Sequence, residues 1–155
     1  MATCSDTLAI IRRSRREQRI EDLLAFYPEL VAPGWGRPRR QINLGHGNRI
    51  DLLFARPGRQ LVVEIKRGRV DLAHCLQLER YMKKLARPSA ICSGILAGRA
   101  IHADAAHWIR HKRGRVVFKQ LGRDIPERVV VCCACRKAYD ARFPVCPVDG
   151  EADRL

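Results

Sequence analysis

The spacing of apolar residues changes several times along the chain, and each change marks an element. From Leu8 to Leu30 the residues Leu8, Ile11, Ile20, Leu23, Leu24 and Phe26 recur mostly at helical spacing between a cap at Ser5 or Thr7 and Pro28. That pattern predicts one or two amphipathic helices with a basic belt over 12–19. The run Pro33-Gly34-Trp35-Gly36-Arg37-Pro38-Arg39-Arg40 is punctuated by glycine and proline and predicts a loop. Strand-like runs follow at 41–44, 49–55 and 61–66, the last two separated by Arg56-Pro57-Gly58-Arg59, a hairpin signal. Asp71 then caps a helix to about Leu85, with Leu72, Cys75, Leu78, Met82 and Leu85 along one side. Residues 89–97 read as a strand, 103–112 as a short helix and 116–121 as a further strand.

This order, with 61–97 as a right-handed crossover, predicts an α/β fold whose mixed sheet is flanked by helices. The expected division is a domain over 1–121, a polar linker over 122–128 and a small appended segment over 129–155. That last segment is too short to build a core of its own and needs another means of holding a fold.

Charge changes the picture more than length does. The 155 residues include 30 Lys and Arg against 16 Asp and Glu, a net charge of +14, so a polyanionic partner is expected. Of those cations 24 are Arg and 6 are Lys, and the arginine fork suits phosphate oxygens and guanine edges. Nucleic acid is the expected partner, with an acidic protein or a membrane surface as the alternatives. No run of about 18 apolar residues occurs, and the first thirty residues carry arginines where an export signal needs an apolar stretch. A soluble, cytoplasmic, DNA-associated protein without a membrane partner is the expectation, nucleoid-associated in a prokaryote.

The pair that carries chemistry is Glu64 and Lys66 in Leu61-Val62-Val63-Glu64-Ile65-Lys66. A spacing of two on a strand puts both on one face with Ile65 on the other. If the hairpin turns tightly at Pro57-Gly58, Asp51 stands directly opposite Glu64. Two carboxylates opposed across a β-ladder repel, and a divalent cation resolves the repulsion. Mg²⁺ (or Mn²⁺) suits such a pair together with water and phosphate oxygens, and Lys66 can orient the attacking water or stabilise charge on the phosphate. The set therefore points to metal-assisted phosphodiester hydrolysis. The alternative has Glu64 and Lys66 decorating a strand edge while Asp51 pairs with an arginine.

Of the seven cysteines, four lie within the C-terminal stretch 132–146. Cys132 and Cys135 form a Cys-x-x-Cys knuckle, and Cys146-Pro147-Val148-Asp149-Gly150 follows, the outline of a zinc ribbon with Asp149 where a fourth cysteine usually stands. Zn²⁺ bound by Cys132, Cys135, Cys146 and Asp149 is expected, in a structural or DNA-contacting role. The alternatives are a spare thiolate from Cys133 and a ribbon that has lost its metal. His107 and His111 could ligate a metal four residues apart, but the zincin glutamate is absent and a packing helix around Trp108 is the simpler reading. Cys4, Cys75 and Cys92 read as terminus or core.

The blocks Arg49-Ile50-Asp51-Leu52-Leu53, Val62-Val63-Glu64-Ile65-Lys66-Arg67 and Gln77-Leu78-Glu79-Arg80-Tyr81, in that order, resemble the PD-(D/E)xK nuclease superfamily. More narrowly, the chain is similar to the catalytic domain of NucS/EndoMS-type endonucleases, and Glu17, Glu21-Asp22-Leu23-Leu24 and Pro28-Glu29-Leu30 resemble their acid-bearing first helix. The resemblance covers about 16–121. It implies a restriction-endonuclease-like fold, Asp51 and Glu64 as metal ligands with the Ile65 carbonyl as a third, and Lys66 beside the nucleophilic water. It also implies that Gln77 and Tyr81 flank the site and that Glu17 is the supporting acid, with Glu21 the competing choice.

A metal-dependent DNA endonuclease for mismatched or branched DNA follows as the expected function. Arg12, Arg13, Arg16, Arg37, Arg39, Arg40 and Arg67 are expected along the DNA backbone. The family's N-terminal DNA-binding domain finds no counterpart here, and the ribbon is expected to serve in its stead or to meet a protein partner. A homodimer would suit cutting of both strands. His46, in the stretch before Asp51, is either a phosphate contact or a loop residue without a role. The competing class is a noncatalytic nucleic-acid-binding module.

Overall fold

The computed structural model describes residues 17–148 and Gly150. A first helix, α1 (17–26), runs into a short 3₁₀ turn at Pro28–Leu30, where proline ends the α-helix. Three strands follow as consecutive hairpins, β1 (Arg39–Gly45), β2 (Asn48–Arg56) and β3 (Arg59–Ile65). Next come the short β4 (Arg69–Val70), helix α2 (Leu72–Leu85), β5 (Ile91–Gly98) and the short β6 (Ala100–Ile101). Helix α3 (Ala103–Arg110), β7 (Val116–Gln120) and a terminal hairpin of β8 (Val129–Val131) and β9 (Ala138–Asp140) complete the chain.

The main sheet has five strands in the order β1-β2-β3-β5-β7, with β4-β6 and β8-β9 as separate two-stranded ladders. β1, β2 and β3 pair antiparallel, while β3-β5 and β5-β7 are parallel, so the expected mixed sheet is present. Residues 61–65 of β3 are all buried because both faces of the sheet are covered. On one face Leu52, Phe54, Leu61, Val63 and Ile65 pack with Leu24 and Val31; on the other Leu53, Val62 and Leu96 meet Cys75, Leu78, Tyr81 and Met82 of α2. Glu64 shares the phase of Val62, so its carboxylate is directed under α2.

Asp71 caps α2 as expected: its carboxylate accepts the His74 amide at 3.0 Å, and His74 Nδ1 in turn accepts the Asp71 amide at 3.1 Å. Two glycines let α2 and the loop that precedes it approach the sheet. A Cβ on Gly94 would lie 2.7 Å from a methyl of Leu78, and one on Gly98 would lie 2.7 Å from Val70 and 3.0 Å from the Gly68 carbonyl. Gly98 also receives the loop that leaves Lys66, whose amide donates to the Ala97 carbonyl at 2.7 Å.

The stretch 122–128 departs from the expected polar linker. Ile125 is fully buried in the first core cluster, and Glu127 pairs with Arg99 at 2.9 Å. One apolar residue in seven gives a weak sequence signal, yet the bridge between Leu121 and Ile125 folds the segment back onto the sheet. The expected helical pattern over 8–16 lies outside the described residues. Among the described residues no helix is long and apolar enough to cross a membrane.

Candidate functional site

The β2–β3 hairpin turns on Pro57 and Gly58, and Gly58 takes the left-handed φ of 71° that the tight turn requires. Its register pairs Arg56 with Arg59 through to Leu52 with Val63. The next position along puts Asp51 beside Glu64. The Asp51 carboxylate accepts the Ile65 amide at 2.8 Å, the Asp51 amide donates to Glu64 Oε1 at 3.4 Å, and Lys66 Nζ donates to Glu64 Oε2 at 3.3 Å. Three charged side chains thus converge where β2 and β3 leave the core.

Their electrostatics follow from burial. Glu64 is 1% exposed, and desolvation, followed by the neighbouring Asp51 charge, pushes its carboxyl from 4.5 up to about 7 against the pull of Lys66. Desolvation also raises Asp51, opposed by the Ile65 amide and by Lys66. One lysine is too little cation for buried Glu64 and half-buried Asp51 together. The donor set of two carboxylates with a neighbouring backbone carbonyl, at the edge of an open cleft, fits a hard divalent cation such as Mg²⁺ or Mn²⁺.

A cleft of about 440 Å³ opens on this pair, lined by Asp51, Glu64 and Lys66, by Gln77 and Tyr81 of α2, and by the β1–β2 tip. Gln77 Nε2 donates to the Tyr81 hydroxyl at 2.7 Å, which leaves the phenolic proton directed by that bond. The tip is bent through Gly45, His46 and Gly47, all at positive φ, so His46 and Arg49 form the wall opposite α2. An adjoining hollow of about 350 Å³ shares Asp51 and Arg49 with this cleft, adds Ile65 and is bounded by Glu17 and Glu21 of α1. Both helix acids considered from the sequence therefore border the site. Glu17 accepts the Arg67 amide at 3.2 Å, whereas Glu21 is 6% exposed and accepts from Arg40 Nε at 3.0 Å and from Gln41 Nε2.

Arg40 stands on β1 beside α1. Its guanidinium is engaged by Glu21 and Asp22, which ties β1 to α1. Gln41, opposite Asp51 in the β1–β2 ladder, has φ 51° and turns its amide onto Glu21. Arg37 and Arg39 are exposed, and Arg67 is half-buried beside Glu17. Arg12, Arg13 and Arg16 lie outside the described residues.

Two residues of the site escape a reading of the sequence. Gln41 has no local signal, because its contact is long-range. His74 does have one: it stands three residues after the cap Asp71 and shares a helical stripe with Gln77 and Tyr81. Its ring is held by the Asp71 amide, and burial, then the Lys66 charge, lowers its proton affinity.

The cysteine cluster lies apart from this site. The sulfur atoms of Cys132, Cys135 and Cys146 are all within 4.8 Å of one another, the one such group of three or more metal-binding side chains among the described residues, so it could hold a metal ion. Asp149 lies outside the described residues, and Cys133 is exposed. The rings of exposed His107 on α3 and His111 at its C-terminal cap lie 4.4 Å apart and tilted to one another, while Trp108 packs inward.

The endonuclease NucS C-terminal domain family matches residues 16–129. No curated protein matches the chain. Among solved structures, a repair endonuclease from Pyrococcus abyssi is similar at 22% identity and a TM-score of 0.58, over 67% of this chain and 46% of that one. An EndoMS–dsDNA complex is similar at 24% identity and 0.57, over 67% and 44%, and EndoMS in the apo form at 24% and 0.56, over 67% and 45%. The chain therefore spans less than half the length of these structures, and the likeness is one of fold.

Proposed function

Because the chain belongs to the endonuclease NucS C-terminal domain family, we propose that it is a metal-dependent DNA endonuclease of the PD-(D/E)xK type that acts on mismatched or branched DNA. The observation that carries this reading is the buried Glu64 beside half-buried Asp51, with Lys66 next to them at the floor of an open cleft. A divalent cation held by Asp51, Glu64 and the Ile65 carbonyl would lower the pKa of bound water and polarise a phosphoryl oxygen.

The chain's own groups supply the rest. Asp51 is fixed for that duty by the Ile65 amide, and Glu64 by the Asp51 amide and Lys66. Lys66 Nζ, with mobile protons and a positive charge, orients the attacking water and balances charge on the scissile phosphate. Gln77 and Tyr81 present amide and phenol donors to the same strand, and Arg49 and His46 flank it from the hairpin tip. Glu17 and Glu21 hold α1 against the metal-binding edge. Arg37, Arg39 and Arg67, together with Arg12, Arg13 and Arg16 of the N-terminal sequence, meet the backbone, giving steep salt dependence. One of the similar structures is a complex of EndoMS with double-stranded DNA, and that protein's ligand favours DNA as the substrate here. A symmetric pair of chains would cut both strands.

A noncatalytic DNA-binding reading would suit a lysine turned away from the carboxylates; Lys66 instead lies 3.3 Å from Glu64. The test is a panel of labelled linear, mismatched, flapped and four-way DNA incubated with Mg²⁺, Mn²⁺ or EDTA. Cutting is expected in either metal and none in EDTA, with mismatched or branched DNA cut roughly tenfold faster than linear duplex. Tight binding without cutting in any metal would leave only the binding module.

A further inference from the structure

We infer that residues 129–150 are folded around one zinc ion held by the thiolates of Cys132, Cys135 and Cys146, in a site that is separate from the nuclease cleft and does not depend on it. Four observations converge on this. Cys135 and Cys146 bring their sulfurs to 3.7 Å. A disulfide needs about 2.0 Å, whereas two thiolates on a tetrahedral zinc with bonds of about 2.3 Å stand about 3.8 Å apart. The Cys135 amide is directed at Cys132 Sγ, 3.5 Å away, as a donor to a thiolate would be.

The backbone then repeats itself. The Arg136 amide donates to the Cys132 carbonyl at 2.9 Å with Arg136 at φ 61°, and the Gly150 amide donates to the Cys146 carbonyl at 2.8 Å with Gly150 at φ 74°. Each knuckle is thus a cysteine whose carbonyl is closed by the fourth following amide, on a residue in the left-handed region. A trio of packed thiols could share the sulfur distances, but it gives no reason for two matching turns. By sequence, Asp149 precedes Gly150 as Cys135 precedes Arg136, so it is the residue the repeat offers as a fourth ligand.

The fourth observation concerns stability. Around this cluster the buried core amounts to Cys132, Tyr139 and Cys146, and the sheet is two strands of three residues. Such a unit does not hold together by apolar burial and needs a staple. Soft thiolates select zinc over the hard cations suited to Asp51 and Glu64. Four protein ligands would leave no open position, so the role is structural.

The test starts from the full-length protein purified without added metal and dialysed against Mg²⁺. Elemental analysis should find about one zinc per chain. Cys132→Ser, Cys135→Ser and Cys146→Ser should each hold less than about a tenth of that, while Cys133→Ser keeps it. If the serine variants do not fold, Co²⁺ substitution of the native protein reads the same site. Thiolate-to-cobalt charge-transfer bands and the intense visible bands of a tetrahedral ion are expected. Limited proteolysis of chelated protein should cut within 129–150 and spare the sheet. Zinc at trace levels with freely titrating thiols, or zinc retained in all three serine variants, would overturn the inference. Neither outcome touches the nuclease reading, which is scored by DNA cleavage in Mg²⁺.

Discussion

Replacing Glu64 with glutamine is expected to slow metal-dependent DNA cleavage roughly a thousandfold, about 4 kcal/mol of transition-state stabilisation, and to make the metal-free protein more stable at pH 8. The two effects have one cause. Glu64 is among the largest fully buried side chains, and its carboxyl titrates up to about 7 because burial and Asp51 disfavour its charge. Between pH 4.5 and 7 the folded protein binds a proton that the unfolded chain has released, so stability falls as pH rises through that window. At pH 8 the cost of the buried charge is about 3 kcal/mol.

Glutamine has the same shape and can still accept the Asp51 amide. Lys66 loses its partner but is partly exposed and can turn to water. The net gain in a chain of this size is a few degrees in melting temperature. Single-turnover cleavage and calorimetry in EDTA read the two halves. Lost cleavage together with a lower melting temperature would mean that Glu64 holds the fold together and is not kept for the metal.

Divalent metal should bind in competition with that same proton. The apparent affinity is expected to fall about tenfold for each pH unit below about 7 and to level off above it, so that roughly 30-fold is lost between pH 8 and pH 5.5. Asp51, raised by burial as well, acts in the same direction. Thermal shifts at fixed Mn²⁺ or Mg²⁺ should therefore be large at pH 8 and nearly absent at pH 5.5, and both smaller and less pH-dependent in Glu64→Gln. A metal-induced shift of equal size at both pH values would mean that the ion binds elsewhere.

The core of the site is legible in the sequence because a two-residue turn fixes everything after it. Pro57-Gly58 sets the register, register sets side-chain phase, and phase brings Asp51, Glu64 and Lys66 to one face. The Asp71 cap and the apolar side of α2 are likewise local signals. What escapes is long-range or too small to register. The engagement of Arg40 and Gln41 with Glu21 joins residues about twenty apart, and no pattern within β1 announces it. Nor does any residue near Arg40 in the sequence announce that two acids of α1 pair with it. Ile125 buries a segment whose composition is that of a linker, a case of tertiary packing overriding local character. The ladder of β4 and β6 is two residues long on each side, below what periodicity can reveal.

Whether phosphodiester hydrolysis happens in this cleft is decided by Lys66→Ala, compared with the native protein on one preferred DNA substrate in Mg²⁺. Affinity for DNA should stay within about threefold, because Lys66 is one cation among many. Single-turnover cleavage should fall at least about a hundredfold, because the loss is felt only as charge develops on the phosphate. Equal cleavage rates for the two proteins would move the chemistry away from Asp51, Glu64 and Lys66.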